Sequence, residues 1–426
     1  MEDFFNRFKA ITGIPKYSGS EVITPLNIVV DMVGMLPEHI FNPDATFLDP
    51  AVKSGRFLVE IYNKLFKSES VIARFPDEIE RKQHILNNQL YGVATSAFAA
   101  SMVRKQLYND ATIRGNIVYS ESKITQELVQ GALDIMKFDV VIGNPPYNRG
   151  MDIDFVKLGF DLSKQYTVMI TPAKWQTAEA DQSIASKMSY GEFRKQLVPY
   201  MREVVFYPDC KDLFDIGQID GNTYFLLDKD MHTSCKVTNK CVIQKHFNSY
   251  AERSICNGES LHNIGDEIWK YVAKQPPYIS FVFPAVFNHR YEVWTNTQMA
   301  SGSRGGMTSC LLTTEGNSQF IGVSTFRDNL KTIPPTSSTA KIVFSSETEI
   351  EAKSFLSWLD TKFTRFFLAI NISKLSNIMC NNFFKFVPAP PSGKFDHIYT
   401  DDELYKAFNL PQKYIDVIEA VVKERK

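Results

Sequence analysis

No stretch of the 426 residues is apolar for long enough to span a bilayer, so a membrane-spanning protein is set aside. The opening Met1–Arg7 carries Glu2 and Asp3 and lacks the basic-then-apolar order of a secretory signal, from which a cytoplasmic protein is expected. The six cysteines (Cys210, Cys235, Cys241, Cys256, Cys310 and Cys380) include no C-x-x-C pair, so reduced thiols and no bound metal are expected. Cys235 and Cys241 with His232 and His246 come nearest to a ligand cluster, but their spacing fits no common zinc site. There is no surplus of either charge. The net value of −1 neither demands nor excludes nucleic acid, because phosphate binding depends on where cations cluster. Internal repeats and low-complexity tracts are also lacking.

What is present is the balance of a globular protein, 44% hydrophobic and 22% charged, on a chain longer than one average domain. From about Phe47 to Leu227, short apolar runs alternate with stretches of helical spacing, the pattern of a parallel sheet wound by crossover helices. The runs are Thr46–Leu48, Gln89–Val93, Phe138–Ile142, Tyr166–Ile170, Glu203–Phe206 and Thr223–Leu227, with helices expected over Gly55–Lys67 and Ala97–Tyr108. An α/β, Rossmann-like domain is predicted over 1–232. Beyond about Asp230, short β-like runs are separated by Gly, Ser, Thr and Asn. A helical, aromatic-rich stretch over Ile350–Ile372, the Pro-broken Phe386–Pro391 and a final helix from Pro411 follow. A second, mixed α+β domain is predicted over 233–426.

The sharpest local signal is Phe138–Ile142 running through Gly143 into Asn144-Pro145-Pro146-Tyr147. Two consecutive prolines can neither donate to a ladder nor start a helix, so the backbone must leave the sheet in a fixed turn. That corner offers the side-chain carbonyl of Asn144, the unclaimed backbone carbonyl of Pro145 and the aromatic face of Tyr147. An amino nitrogen on a nucleobase or amide is a poor nucleophile because its lone pair is delocalised. Two acceptors set against its two hydrogens favour a more tetrahedral nitrogen and free that pair for an electrophilic methyl. Tyr147 can stack on the flat substrate and hold the nitrogen in line. The plainer reading is a turn whose prolines merely end the strand.

These residues resemble the catalytic motif, Asn/Asp-Pro-Pro-Tyr/Phe, of the N6-adenine and N4-cytosine DNA methyltransferases. Upstream, Phe47–Leu58 is similar to that family's cofactor loop, Asp-Pro-Ala-Cys-Gly-Ser-Gly-x-Phe-Leu. It reads as a strand, a small-residue turn and a helix N-terminus, where backbone amides can meet a carboxylate such as that of S-adenosylmethionine. The resemblance implies cofactor contacts at Asp49, Pro50, Ala51, Lys53, Gly55 and Phe57, and at Asn144 itself. Ile23–Val33 resembles the motif in which a Thr-Pro turn caps a helix beside the methionine moiety, with Thr24 as N-cap and Pro25 at the first helical position. Taken alone, Thr24-Pro25 is a simple helix start. The order of the three motifs is that of the gamma class. It implies the S-adenosylmethionine-dependent methyltransferase fold, a mostly parallel sheet, followed by a C-terminal target-recognition domain. Met169–Trp175, with Lys174, looks like the strand and turn after the catalytic motif. The stretch from Leu213 to Leu227 looks like the family's last hairpin, in which Phe214 is a second wall of the base pocket or a core aromatic.

Two positions depart from the family. Lys53 stands where the loop has its first glycine, which requires negative φ there and puts an ammonium near the donor's carboxylate. Ala94 stands where an acid binds the ribose hydroxyls, leaving Thr95 or Ser96 to supply weaker hydrogen bonds. Beyond the third strand only Ser120 and Glu121 are offered to the cofactor adenine.

The resemblance implies double-stranded DNA as substrate and an extruded adenine, whose lost stacking Tyr147 replaces. Lys331, Lys341, Lys353, Arg365, Lys374 and Lys385 are candidate phosphate contacts, or solvated surface. Arg304, in the Gly/Ser-rich Ser301–Gly306, is a candidate for reading guanine in a groove. A separate restriction endonuclease is the expected partner, rather than a fused one. The alternatives are a methyltransferase for protein glutamine or ribosomal RNA that uses the same motif, and a degenerate fold that lends DNA specificity without catalysis.

Overall fold

Apolar side chains, many of them β-branched or aromatic, fill the short runs of the first half, as suits strands buried on both faces. They form β1 (Phe47–Val52), β2 (Leu90–Ala94), β3 (Ile117–Tyr119), β4 (Phe138–Gly143) and β5 (Ser163–Pro172). The computed structural model describes residues 23–94, 96–120, 123–147, 150–176, 188–208, 210–214, 221–241, 245–255, 259–282, 291–296, 320–325, 340–371 and 381–422. Contacts divide the chain into two compact units, Met1–Thr171 and Pro172–Lys426.

In the first unit the strands lie in the order β3-β2-β1-β4-β5 and every pairing is parallel. Crossover helices connect them, among them Arg56–Lys67, Ala97–Tyr108 and Met151–Leu162. Their starts are set by local chemistry. Ser96 accepts from the Ala99 amide at 3.0 Å to begin Ala97–Tyr108, and Asp77 accepts from Ile79 and Glu80 to begin Glu78–Asn88. Strand order reverses between β1 and β4, the point at which open parallel sheets bind ligands beyond their carboxyl ends. Between Asp49 and Val52 the register of β1 on β2 shifts, as expected where Pro50 has no amide to give the ladder.

The second unit contains β6 (Met201–Tyr207), β7 (Asn222–Asp228), β8 (Cys235–Asn239) and β9 (Ser249–Arg253), in the order β7-β6-β8-β9. β6 pairs antiparallel with β7 and parallel with β8. Strands beyond residue 232 thus hydrogen-bond to strands before it, and the compact units part at Thr171 rather than at the change of composition. A second sheet sets β10 (Tyr291–Asn296) between β11 (Phe320–Thr325) and β12 (Ala340–Ser346), all antiparallel. The aromatic-rich stretch forms helices Glu349–Asp360 and Lys362–Ala369, and the last helix is Gln412–Val421. Phe355, Trp358, Phe363, Phe366 and Phe367 are all fully buried in one core with Phe281 and Phe384. Arg365, expected among the surface cations, is buried on the same helix at 3% exposure. Lys353 is exposed and paired with Glu349 at 2.7 Å. Among the described residues no helix is long and apolar enough to cross a membrane.

Candidate active site

The end of β1 closes on its own carboxylate. Asp49 Oδ1 accepts from the Ala51 amide at 3.0 Å, and burial pushes the Asp49 carboxyl up to about 7 against the opposing pull of that amide and of the Lys53 charge. Lys53 is itself largely buried, and it is not among the described residues with positive φ, so the lysine meets the condition its place in the loop imposes. The reversal falls on Gly55, at φ 74° and ψ 6°, and the helix begins at Arg56. A β-carbon on Gly55 would lie 3.0 Å from Val103 Cγ2.

The corner after β4 lies against that turn. A β-carbon on Gly143, the last residue of β4, would meet Asp49 Oδ1 at 2.8 Å, so a side chain there would have to displace that carboxylate. Asn144 follows, buried at 4% exposure, and its Nδ2 donates to Thr24 Oγ1 at 3.1 Å. The backbone carbonyl of Thr24 accepts in turn from Arg56 Nη1 at 2.8 Å. Pro146 and Tyr147 are half-buried, and the Tyr147 hydroxyl donates to the Ile170 carbonyl on β5 at 3.3 Å.

Thr24, Asp49, Ala51, Lys53, Gly55, Phe57 and Asn144 line one cleft of about 260 Å³, its open mouth included. Ile23, Ser54 and Arg56 line it as well. Sequence reasoning did not single these three out, although Arg56, a cation at the first turn of the helix, carried a usable signal. Pro25, Pro50 and Tyr147 are not on its wall. The N-cap expectation for Thr24 is corrected: helix Leu26–Gly34 has Pro25 as its cap, with no side-chain cap bond. Pro25 supplies its carbonyl to the Ile28 and Val29 amides instead. Ala94 is fully buried and Ser96 serves as a helix cap, while Thr95 lies outside the described residues. Lys174 and Phe214 belong to the second unit, where Lys174 is half-buried in a short 3-10 turn and Phe214 is a buried aromatic at 2% exposure. Arg304, Lys331 and Lys374 also lie outside the described residues.

A parallel sheet of this order, with β1 turning on glycine into a helix and β4 leaving on Asn-Pro-Pro-Tyr, is an open doubly wound α/β sheet that presents the methyltransferase-like motifs at its switch point. Residues 88–206 match the family of Eco57I restriction-modification methylases. An uncharacterized adenine-specific methylase of Mycoplasma pneumoniae is 26% identical over 296 residues, 50% of this chain and 68% of that protein. Family match and relative agree with the class read from the motifs, the adenine-specific methylases of restriction-modification type. Among solved structures, the M protein of the type I restriction enzyme EcoKI matches 59% of this chain and 54% of its own at 11% identity, with a TM-score of 0.40. A type I methyltransferase subunit from Streptococcus thermophilus matches 54% of this chain and 49% of its own at 17% identity, with a TM-score of 0.38. The chain spans about half the length of these two subunits.

Proposed function

We propose that this chain transfers a methyl group from S-adenosylmethionine to N6 of adenine in double-stranded DNA, as the modification member of a restriction-modification system. One observation carries the reading: the Asn144 amide, at the carboxyl end of β4, lines the same cleft as the Asp49 carboxylate and Lys53. The amino-acid end of the donor has an ammonium and a carboxylate, and the cleft has one group of opposite charge for each. Amides at the start of helix Arg56–Lys67 add partial positive charge beside the carboxylate. The residues therefore fit the amino-acid end of the cofactor, whereas Ala94 brings no polar group to its ribose.

Bound there, the donor supplies a sulfonium methyl, an electrophile for an amine lone pair. The protein prepares the amine. Asn144 Oδ1 and the Pro145 carbonyl accept its two hydrogens, which localises the lone pair on nitrogen. Tyr147 gives the extruded base a surface on which to stack. Its hydroxyl, tied to Ile170, limits how far the ring can turn. The proton leaves to water after attack, so no base of unusual strength is required. DNA reading we assign to the second unit, and DNA cleavage to a separate endonuclease.

Genomic DNA from cells expressing the chain should carry N6-methyladenine at one sequence motif, read by modification-sensitive sequencing. Asn144→Ala should lower the methylation rate by about a thousandfold, the scale of a lost transition-state hydrogen-bonding group, while DNA binding persists. An unmarked genome with the wild type, or an Asn144→Ala protein that still marks it, rejects the reading.

A further inference from the structure

We propose that Thr24 is a positioning residue that holds the Asn144 amide in place at the β4 corner; the inference rests on the role given to Asn144 above. Freed from capping its helix, the buried Thr24 hydroxyl stands 3.1 Å from Asn144 Nδ2 and accepts from it. The two edges of an amide are chemically opposite, since nitrogen only donates and oxygen only accepts. An exocyclic amine approaching the corner presents two hydrogens. The oxygen edge receives it, and the nitrogen edge meets it hydrogen to hydrogen. With Nδ2 bonded to Thr24, the amide is held with its oxygen edge on the side away from that hydroxyl. Thr24 is held in its turn, because Arg56 Nη1 binds its backbone carbonyl at 2.8 Å. A guanidinium at the β1 turn thus anchors the residue that orients an amide at the β4 corner.

The cofactor contact that the motif implies for Thr24 makes the opposite kinetic prediction, so the two roles separate. Thr24→Val keeps the shape and removes the hydroxyl, and Thr24→Ser keeps the hydroxyl. Single-turnover methylation of duplex DNA, titration calorimetry with S-adenosylhomocysteine and NMR of 15N-labelled asparagine side chains are to be read on the full chain. Thr24→Val should transfer methyl about tenfold more slowly at saturating donor, the scale of one buried hydrogen bond, with the calorimetric Kd within about twofold of wild type. The Asn144 side-chain amide resonances should shift in Thr24→Val, and Thr24→Ser should restore both rate and resonances. In the wild type, an Overhauser contact between the Asn144 amide protons and the Thr24 methyl is expected, and this reading needs no variant to fold. A Thr24→Val rate equal to wild type, a raised Kd with the saturated rate unchanged, or a missing Overhauser contact overturns the proposal. Failure of the wild type to methylate any DNA would instead remove the role of Asn144, so the two failures are told apart.

Discussion

The turns that leave β1 and β4 face one cleft, yet they are built from opposite materials. The first bends on Gly55, which occupies a left-handed conformation open to few other residues. The second bends on Pro145 and Pro146, whose rings remove conformations instead of adding them. The difference suits what each turn carries. A turn that brings backbone amides close to a charged ligand needs room, and glycine supplies it. A turn that must aim one amide and one carbonyl at an amine needs rigidity, and proline supplies that. The turns meet where Gly143 lies against Asp49, so each limits the other.

The contrast is open to test, and the largest effect is expected where the turns touch. Gly143→Ala would place its methyl 2.8 Å from a carboxylate oxygen that the Ala51 amide holds in place. Displacement of Asn144 by about an ångström should cut the single-turnover rate about a hundredfold, with the melting temperature moving less in proportion. A rate near wild type would show that the β4 corner does not depend on the β1 turn.

Next in size is Gly55→Ala, which forces a β-carbon into positive φ and to within 3.0 Å of Val103. Strain of this kind costs about 1–3 kcal/mol, to be read by denaturant unfolding. Loss of donor affinity should accompany it, whereas a shift in stability alone would remove Gly55 from ligand approach.

The last effect is one of pH. Asp49 titrates near 7 in the folded protein against 3.8 for an ordinary aspartate, so the native state holds its proton more tightly than the unfolded state does. Its contribution to stability is therefore complete below about 4 and is lost as pH rises through about 7. Asp49→Asn should leave stability almost unchanged below about pH 4 and raise it progressively as pH climbs from there to about 7. On the proposed function, donor affinity in the wild type should fall as pH drops below 7, where the carboxylate assigned to the donor's ammonium is neutralised, and the Asn variant should lack that dependence. Parallel stability curves for the two proteins between pH 5 and 8 would contradict the buried carboxylate.

Much of the first unit was legible because its signals are contiguous. The Asp49–Phe57 loop and the Asn144–Tyr147 corner each pack strand, turn and exit into about ten residues, and the alternation of apolar runs with helical spacing marked the parallel sheet. Helix Ala97–Tyr108 falls where its spacing placed it. Features that join distant residues were not legible. No local pattern tells that the Thr24 hydroxyl turns to Asn144 instead of to its own helix, or that Arg56 reaches back to the Thr24 carbonyl. In the second unit, composition changes near Asp230, but hydrogen bonding does not, since β8 continues the ladder of β6. Arg365 was misjudged for a related reason: a charge in an aromatic helix looks exposed until the helix is packed on every side. Phenylalanines scattered from Phe281 to Phe384 converge in one core, a convergence that no short window of sequence contains.

The bond between Asn144 and Thr24 spans 120 positions of the chain. It can form only when the segment ahead of β1 and the end of β4 are both in place, so the cleft is complete only in a fully folded first unit. Any ligand that prefers the completed cleft draws free energy of association from the whole unit and returns it as resistance to unfolding. Local fraying at either end would be felt as a loss of affinity before any loss of secondary structure, which makes the cleft a sensor of its own assembly.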